Sequence, residues 1–339
     1  MPLPCIPDDL PVTNLDWQTL IEPVGQANAL LSRYDGLLQS IINAEVMLSP
    51  LTTCEAVLSS RIEGTQASLS EVLEHEAGEE YDKEKTLDIH EVQNYRRALA
   101  DAEKVLQNRP ITLNLIKAIH RILMEGVRGR DKLPGEFRSD QNWIGSKGCA
   151  MEQARFIPPN PVILPEHLGK WERYIQDPKE DPLIKLAVLH AQFEILHPFK
   201  DGNGRIGRLL IPLFLYKRKA LHRPMFYLSE YLEDNREIYY DNLLNITRHN
   251  DWQSWIEFFL QAVVEQSTAN IEKVVKIQKL YERLKVAFAD ATHSQFAIAA
   301  LDVLFAKPII HTTDFIKRAR IPNDVTAGSI LRKLNTGGY

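Results

Sequence analysis

Two apolar segments on either side of a short polar loop constrain this chain more than any other feature. The first segment covers residues 183–196, and the second runs from Ile206 to Tyr216. Both contain enough helix-forming residues for buried helices. Pro198 predicts the end of the first helix, because proline disfavours the helical conformation of the residue before it. The pattern therefore predicts a helix, a tight loop and a second helix in a mainly α protein.

The loop reads His197-Pro-Phe-Lys-Asp-Gly-Asn-Gly-Arg-Ile-Gly-Arg208. Gly202 and Gly204 permit backbone angles closed to other residues, so consecutive amides can turn inward around an anion. The start of the second helix adds free amides and a positive dipole, and Arg205 and Arg208 add full charges. The loop therefore predicts a binding site for phosphate groups.

Two more side chains of the loop suit phosphate chemistry. Asp201 stands at the edge of the predicted site, and Mg²⁺ is commonly held by one or two carboxylates together with phosphate oxygens. The unperturbed pKa of histidine is about 6.5, so His197 could accept a proton from an incoming hydroxyl near neutral pH. We expect Asp201 to be a magnesium ligand and His197 to be a general base.

Other phosphate-binding motifs do not fit the surrounding sequence. The run from Gly202 to Gly207 is a literal G-x-G-x-x-G, but the dinucleotide motif must follow a β-strand, and an apolar helix with His-Pro precedes this one. The kinase motifs and the Walker A pattern are absent from the sequence. A simple turn between helices, stabilised by Asp201 and Asn203, would leave the histidine and the two arginines unexplained.

The loop resembles the signature of the Fic proteins, H-x-F-x-[DE]-G-N-G-R-x-x-R. Every fixed position is matched, by His197, Phe199, Asp201, Gly202, Asn203, Gly204, Arg205 and Arg208. Residues 90–95 and 134–138 also look similar to Fic sequences. The resemblance implies a Fic-type helical core and transfer of AMP from ATP to a Ser, Thr or Tyr hydroxyl of a protein, with Mg²⁺ on the phosphates.

The resemblance also implies a role for each residue of the loop. His197 would be the general base, Asp201 would hold the metal, and Phe199 would pack the loop against the core. The two arginines would bind the triphosphate tail. The full set implied for the nucleotide within the loop is Gly202, Asn203, Gly204, Arg205, Gly207 and Arg208.

A second segment, Leu58-Ser-Ser-Arg-Ile-Glu-Gly-Thr65, places Ser59 and Glu63 on one face of a helix. Alone, the pattern is typical of a solvated helix end followed by glycine. Many Fic proteins carry an inhibitory helix with the pattern [ST]-x-x-x-E-[GN], so the resemblance implies that Glu63 pairs with Arg208. A bidentate pair would use the face of the arginine that should hold the γ-phosphate. We therefore expect an autoinhibited enzyme.

Two weaker signals follow from the same resemblance. Phe156 and Ile157 lie where Fic proteins have a flap, a short β-hairpin that aligns the target by strand addition, and the pair could form a short exposed strand. Tyr239 and Tyr240 lie where Fic proteins contact the adenosine. Adjacent helical positions point about 100° apart, so at most one of these tyrosines should face the core fully.

Composition sets outer limits on function. The 339 residues carry a net charge of −5, and 25% of them are charged, which gives no general argument for nucleic-acid or membrane binding. The sequence has no apolar run near ~20 residues and no signal peptide. Its three cysteines are scattered, which argues against disulfides and a zinc site. We expect a cytoplasmic protein.

Helical patterns cover about residues 17–108, 113–125 and 182–280. With the family resemblance, they suggest four regions. These are an N-terminal helical region with the inhibitory helix (1–88), the Fic core (89–265), a connecting helix (266–289) and a C-terminal winged-helix-like module (290–339).

The C-terminal module differs in character from the rest. Helices are predicted at 295–305, 312–319 and 323–334, an arrangement that suggests a helix-turn-helix or winged-helix module. From Lys307 onward six Lys or Arg stand against two Asp, which is consistent with phosphate contacts. DNA contact and protein contact both stay open. A winged helix would still need its β-wing after residue 334, so the module is either incomplete or a variant.

The sequence therefore favours an autoinhibited, Mg²⁺-dependent protein adenylyltransferase that uses ATP and an unidentified target protein, which could be the chain itself. One alternative is removal of AMP from a modified protein, with Glu63 orienting water. Another is a DNA-binding regulator whose core only senses nucleotide, although the intact His197 favours an enzyme. A homodimer is also left open.

Overall fold

The structure is a computed structural model that describes residues 3–41, 43–127, 132–146 and 148–338, apart from the side chains of residues 44 and 45. It is mainly helical, as predicted. The α-helices in chain order are α1 (Trp17–Ser40), α2 (Ala44–Ile62), α3 (Leu69–Glu76), α4 (Lys83–Leu106), α5 (Leu113–Leu123), α6 (Leu164–Gln176), α7 (Pro182–Leu196), α8 (Asn203–Lys217), α9 (Ser229–Asp234), α10 (Arg236–His249), α11 (Trp252–Thr292), α12 (Ala297–Ala306), α13 (Thr312–Arg318) and α14 (Asp324–Thr336).

Short polar side chains fix where several helices begin. Asp16 accepts a hydrogen bond of 3.0 Å from the backbone N–H of Gln18 at the start of α1. α3 opens with a capping box, in which the Ser68 and Glu71 side chains each accept from the other's backbone N–H. Such contacts satisfy N–H groups that have no partner inside the helix.

Helix α7 lies at the centre of the fold. All residues from Leu183 to Leu196 are buried except Glu194, as expected for a helix that is apolar on every side. α8 packs against α7, and its residues from Asn203 to Leu215 are also buried. Helices α1, α6, α10 and α11 contact α7, whereas α2, α4 and α5 contact α8. The predicted pair of buried helices is therefore confirmed, and both helices are held from several sides.

Helix α6 falls outside the predicted helical stretches. Its sequence contains Pro165 and Gly169, two residues that weaken a helical pattern. Pro165, however, lies at the second position of the helix, where its missing N–H would have no intrahelical partner. The apolar side chains of Leu168 and Trp171 then bury one face of α6 against α7.

Helices α12, α13 and α14 confirm the predicted helices of the C-terminal region within a few residues. They share a small hydrophobic cluster of their own, which includes Leu301, Phe315, Ile330 and Leu334. α12 also packs against α2. No β-strand follows α14 in the part of the chain described up to residue 338, so a winged helix stays a prediction.

Helix α11 connects the two parts of the fold. It is continuous across the predicted boundary at residues 265 and 266. Its first half contributes to the main core as far as Val274, and Phe288 near its end belongs to the C-terminal cluster. The predicted domain limits remain predictions. None of the helices in the described ranges combines the length and the apolar character needed to cross a membrane.

Candidate functional site

The loop between α7 and α8 is bounded by two residues in the left-handed backbone conformation. His197 follows the last residue of α7 with a φ of 45°, and its N–H donates to the carbonyl of Phe193 at 3.0 Å. Gly202 precedes α8 with a φ of 77°, which suits glycine because it has no Cβ to clash. The end of α7 before Pro198 confirms the prediction from sequence.

Asn203 and Phe199 fix the shape of the loop. The Asn203 side-chain amide donates to the Phe199 carbonyl at 2.8 Å, and its oxygen accepts from the Phe199 N–H at 2.8 Å. Phe199 is fully buried, as expected for a residue that packs the loop against the core. Because the Asn203 side chain is used inside the loop, only its backbone N–H could face a ligand.

His120 of α5 packs against the loop. Its ring stacks on Phe199 with centroids 3.7 Å apart. Nδ1 accepts a hydrogen bond from the Gly135 N–H at 2.8 Å, so Nε2 carries the hydrogen and donates to the Asp201 carbonyl at 3.0 Å. Burial lowers the pKa of His120 to about 4, so the ring is neutral. His120 could not be predicted from the sequence, because a lone histidine on an apolar helix gives no functional signal.

The first turn of α8 presents free backbone donors. The N–H groups of Asn203, Gly204 and Arg205 precede the first hydrogen bond of the helix, which runs from the Ile206 N–H to the Gly202 carbonyl at 3.1 Å. Donors at a helix N-terminus, together with the helix dipole, form a binding site for an anion. The geometry predicted for this part of the loop is therefore present.

Arg205 is held by acidic side chains rather than open to solvent. Its side chain is 4% exposed, and Nη1 donates to Oε2 of Glu91 on α4 at 3.0 Å. Thr65 donates to the same oxygen at 2.7 Å, and Oδ1 of Asp201 lies 3.5 Å from Nη2. Glu91 and Thr65 were missed from the sequence, because they reach the loop only through tertiary packing. Contact of Arg205 with a triphosphate stays a prediction.

Arg208 is bound from α2 by Ser59 and Glu63. Nε donates to Oγ of Ser59 at 2.9 Å, and Nη2 donates to the Ser59 carbonyl at 2.8 Å and to Oε1 of Glu63 at 2.6 Å. The structure therefore brings together Glu63 and Arg208, which the family resemblance paired, and adds Ser59, which was predicted only to share a helix face with Glu63. It corrects the expected bidentate contact, since Glu63 joins the guanidinium through one oxygen and Ser59 occupies Nε.

Glu63 lies directly over the start of α8. A Cβ atom built on Gly204 would overlap Oε1 of Glu63 and would lie 2.9 Å from Nη1 of Arg208. The Glu63 side chain keeps 32% of its surface exposed, so it sits at the mouth of the site. Burial raises its pKa, but the charge and hydrogen bond of Arg208 outweigh that effect and hold the pKa below its ordinary value. A carboxylate therefore lies against the first turn of α8 and binds Arg208.

His197 lies beside this anion site as a neutral ring. Burial lowers its pKa to about 4, although the charge of Glu63 opposes that shift. Nδ1 is buried without a hydrogen-bond partner among the residues described. Arg138 holds the backbone here, because its Nε donates to the His197 carbonyl at 2.9 Å and its Nη2 to the Pro159 carbonyl at 2.6 Å. A neutral imidazole can accept a proton at pH 7.

Asp201, the predicted metal ligand, is a partly exposed carboxylate in the loop, and its role as a metal ligand stays a prediction. Its side chain is 45% exposed, and Oδ1 accepts from the Gly202 N–H at 2.6 Å. Within the described residues no group of three or more His, Cys, Asp or Glu side chains could hold a metal ion. Mg²⁺ at phosphate sites is commonly bound by one or two carboxylates plus phosphate oxygens, so a single exposed carboxylate fits that ion.

The two predicted tyrosines differ in position. Tyr239 is buried, and its hydroxyl lies 3.0 Å from Nε2 of His190 on α7. Its side chain thus belongs to the core, as the prediction of at most one core-facing tyrosine allows, and its contact with adenosine stays a prediction. Tyr240 is partly exposed, with the Arg155 guanidinium 5.7 Å from the centre of its ring. Contact of Tyr240 with a nucleotide stays a prediction.

The predicted flap is reduced to one antiparallel β-bridge between Ile144 and Phe156, the only strand pairing in the described ranges. Phe156 is partly exposed, but Ile157 is 4% exposed. The expectation of an exposed strand at Ile157 is therefore wrong. Its side chain packs inward, and its carbonyl accepts a hydrogen bond of 2.9 Å from the Cys5 N–H.

Glu194 is a further carboxyl at this site, and it was not predicted from the sequence. A Cβ atom on Gly207 would overlap its Oε1, an oxygen that is buried and has no hydrogen-bond partner among the described residues. Gly207 thus leaves space for the Glu194 side chain. The role of Gly207 in nucleotide binding stays a prediction. Burial raises the pKa of Glu194 to about 8, Arg208 opposes the rise, and Glu63 adds to it.

A helical fold built around a histidine-containing anion loop defines the class of Fic-fold proteins, and comparisons with known families agree. The family model described as Fic/DOC family N-terminal matches residues 21–104, and the model described as Fic/DOC family matches residues 110–215. Together the two matches cover more than half of the chain. The chain belongs to the Fic/DOC family.

Solved structures with this fold include a Fic family protein from Desulfovibrio desulfuricans. It is 19% identical, with a TM-score of 0.63, and the match covers 98% of this chain and 91% of that chain. A Fic domain containing signaling protein from Bacteroides thetaiotaomicron is 18% identical, with a TM-score of 0.60, over 74% of this chain and 97% of its own. The likeness concerns the fold.

Curated relatives are named as adenylyltransferases. A probable protein adenylyltransferase of Aquifex aeolicus is 32% identical over 85 residues, which are 25% of this chain and 27% of that protein. The protein adenylyltransferase Fic of Aedes aegypti is 31% identical over 162 residues, which are 47% of this chain and 29% of that protein. The chain therefore spans less than a third of the length of either relative.

Proposed function

We propose that this protein is an autoinhibited protein adenylyltransferase, which transfers AMP from ATP to a side-chain hydroxyl of a protein. The observation that carries the proposal is the position of Glu63, whose carboxylate lies against Gly204 in the first turn of α8 and 2.6 Å from Arg208. An anion-binding site beside a neutral histidine suits phosphate chemistry, and the names of the relatives supply the reaction class.

The chain's own residues suggest how the reaction proceeds. The N–H groups at the start of α8, with Arg208, would bind and orient the phosphates of ATP. The target hydroxyl oxygen would attack the α-phosphorus as the bond to the bridging oxygen breaks and pyrophosphate leaves. His197 would accept the hydroxyl proton. Asp201 would hold Mg²⁺, which when bound neutralises phosphate charge.

Inhibition would follow from competition for one site. The carboxylate of Glu63 and a phosphate of ATP are both anions, and both would use Arg208 and the start of α8. With Glu63 in place, ATP would bind weakly or with its phosphates displaced. Moving or removing this side chain would leave the donors in place, because Ser59 still holds Arg208 through two hydrogen bonds.

The experiment is to compare the wild type with Glu63→Gly, using Mg²⁺ and ATP labelled at the α-phosphate. The variant should attach AMP to itself or to an added protein faster than the wild type. Equal rates would contradict the inhibitory role of Glu63. Removal of AMP from a modified protein would use the same loop, and the same variant incubated with an AMP-modified protein tests that alternative.

A second candidate function concerns α12–α14. This module has its own cluster of buried side chains, and Lys317, Arg318, Arg320 and Arg332 are exposed on it. Three helices with exposed cations suit contact with DNA phosphates. Binding of labelled duplex DNA that weakens steeply with salt, and that is lost when these cations are replaced by glutamine, would support this function.

Two further proposals concern the state of the protein. A cytoplasmic location fits the three free cysteines, Cys5, Cys54 and Cys149. Assembly as a homodimer is a proposal that light scattering would test.

A further inference from the structure

Glu55 is a buried carboxylate on the same helix as the inhibitory residues, and the proposed reaction does not use it. Glu55 is 3% exposed. Nearly all of the other residues of α2 that face inward are apolar or small. Placing a carboxylate in a protein interior is costly, and an apolar side chain of similar volume could fill the same space. Its presence therefore needs a reason other than packing.

The contacts of Glu55 tie α2 to two other helices. Oε1 accepts hydrogen bonds from the Ser229 hydroxyl at 2.6 Å and from the Tyr95 hydroxyl at 3.1 Å. Oε2 accepts from the Ser229 backbone N–H at 3.3 Å. Ser229 is the first residue of α9, Tyr95 lies on α4, and both residues are fully buried. Three donors thus converge on one carboxylate.

The spacing along α2 connects these contacts with the nucleotide site. Glu55, Ser59 and Glu63 are four residues apart, so they follow one face of the helix. Ser59 and Glu63 bind Arg208, whereas the hydrogen bonds of Glu55 go to helices outside the loop. Rotating α2 or shifting it by one residue would separate Glu55 from its donors, and it would also lift Glu63 from its place over Gly204.

We propose that Glu55 is a positioning residue for inhibition, whose hydrogen bonds to Ser229 and Tyr95 fix the register of α2 and thereby hold Glu63 over the anion site. A single buried polar contact that sets the register of a helix has precedents in helical proteins. This inference rests on the proposed function, in which Glu63 inhibits transfer.

The test uses Ser229→Ala, which removes the shortest of these hydrogen bonds and leaves Glu55 in place. The matched control is Ser267→Ala on α11, because Ser267 is equally buried and its hydroxyl has no partner among the described residues. Both changes are made in the wild type and in the Glu63→Gly background. The first readout is the rate of AMP labelling from α-labelled ATP, and the second is amide hydrogen exchange over residues 59–65.

Ser229→Ala should raise labelling by about tenfold when Glu63 is present, since a hydrogen bond to a buried charge has about that effect on an equilibrium. It should leave the rate in the Glu63→Gly background unchanged, and it should speed exchange over residues 59–65. Ser267→Ala should change neither the labelling rate nor the exchange over residues 59–65. Glu55→Gln should act in the same direction as Ser229→Ala, because the amide cannot accept from all three donors.

Two results would overturn the proposal. One is an equal effect of Ser229→Ala on labelling with and without Glu63, which would indicate a general loss of structure. The other is unchanged exchange over residues 59–65 in both Ser229→Ala and Glu55→Gln. If Glu63→Gly itself fails to raise labelling, the proposed function fails, and the exchange measurement then decides alone whether Glu55 holds the helix.

Discussion

Oε1 of Glu63 lies 2.6 Å from Nη2 of Arg208, and these residues are 145 positions apart in the chain. Arg208 lies in the buried pair α7 and α8, whereas Glu63 lies just beyond the end of α2 with a third of its side chain exposed. The residue that would block the site is therefore separate from the elements that form it, so it can leave without unfolding them.

Gly204 tests whether the space under Glu63 is the phosphate site. Gly204→Ala in the Glu63→Gly background should slow AMP labelling by at least about tenfold, because a methyl group would intrude beside Arg208 where a phosphate should bind. Labelling rates at several ATP concentrations measure the effect. Gly328→Ala on α14 is the control, since a Cβ there meets nothing within 4 Å. Equal rates for Gly204→Ala and its parent would argue against this placement.

The buried ion pair of Arg205 and Glu91 should matter to stability. Glu91→Gln should lower the free energy of unfolding by about 3 kcal/mol, because it leaves a buried guanidinium with only the partly exposed Asp201 as a counter-charge. Glu125→Gln breaks the exposed ion pair with Arg97. It should change the free energy of unfolding by less than about 1 kcal/mol. Urea unfolding of the two variants measures both values. Similar losses of stability in the two variants would show that the buried Arg205–Glu91 pair stabilises the fold no more than an exposed pair does.

Glu194 should make stability depend on pH. Its pKa is raised from 4.5 to about 8 in the folded protein, so the folded state keeps a proton that the unfolded state loses. The contribution of Glu194 to the free energy of unfolding is therefore full below pH 4.5. This contribution declines as pH rises toward about 8, by up to about 1.4 kcal/mol per pH unit. Glu194→Gln should remove this decline.

Unfolding of the wild type and Glu194→Gln at several pH values between about 5 and 8 provides the measurement. Glu22→Gln, which changes an exposed carboxyl on α1, should leave the decline in place. Parallel pH curves for the wild type and Glu194→Gln would count against a protonated Glu194.

His197 should set the acid limit of the reaction. Because burial lowers its pKa to about 4, the ring is already neutral at pH 5 and can accept a proton. The labelling rate of Glu63→Gly should therefore show no loss of the base between about pH 7 and pH 5, and it should fall only as pH approaches about 4. A rate that halves near pH 6.5 would instead indicate a histidine with an ordinary pKa.

The sequence predicted the parts of this molecule that are local. Pro198 ends α7 because proline restricts its neighbour, and Gly202 takes the left-handed conformation that starts α8. The three C-terminal helices follow apolar patterns in the chain. Glu63 was linked to Arg208 through the family resemblance, since nothing in its own segment indicates a partner so far along the chain.

The residues that the sequence did not reveal are those that meet the loop through packing. Glu91, His120 and Arg138 come from separate segments, and each contacts the loop only because the helices assemble around α7 and α8. Tyr239 and Tyr240 agree with the prediction that at most one of them faces the core, because the turn of the helix directs Tyr239 inward and leaves Tyr240 partly exposed. Their contact with a nucleotide came from the family resemblance and stays a prediction.

The most direct test of the central claim is intact mass after incubation with Mg²⁺ and ATP, compared across four proteins. These are the wild type, Glu63→Gly, Glu63→Gly with His197→Ala, and Arg61→Ala as a control on the exposed side of α2. We predict that Glu63→Gly gains AMP, that the wild type and the Arg61→Ala control gain much less, and that the double variant gains none. The same gain on the wild type and Glu63→Gly, or on Glu63→Gly and the double variant, would contradict a site with His197 as base and Glu63 as inhibitor.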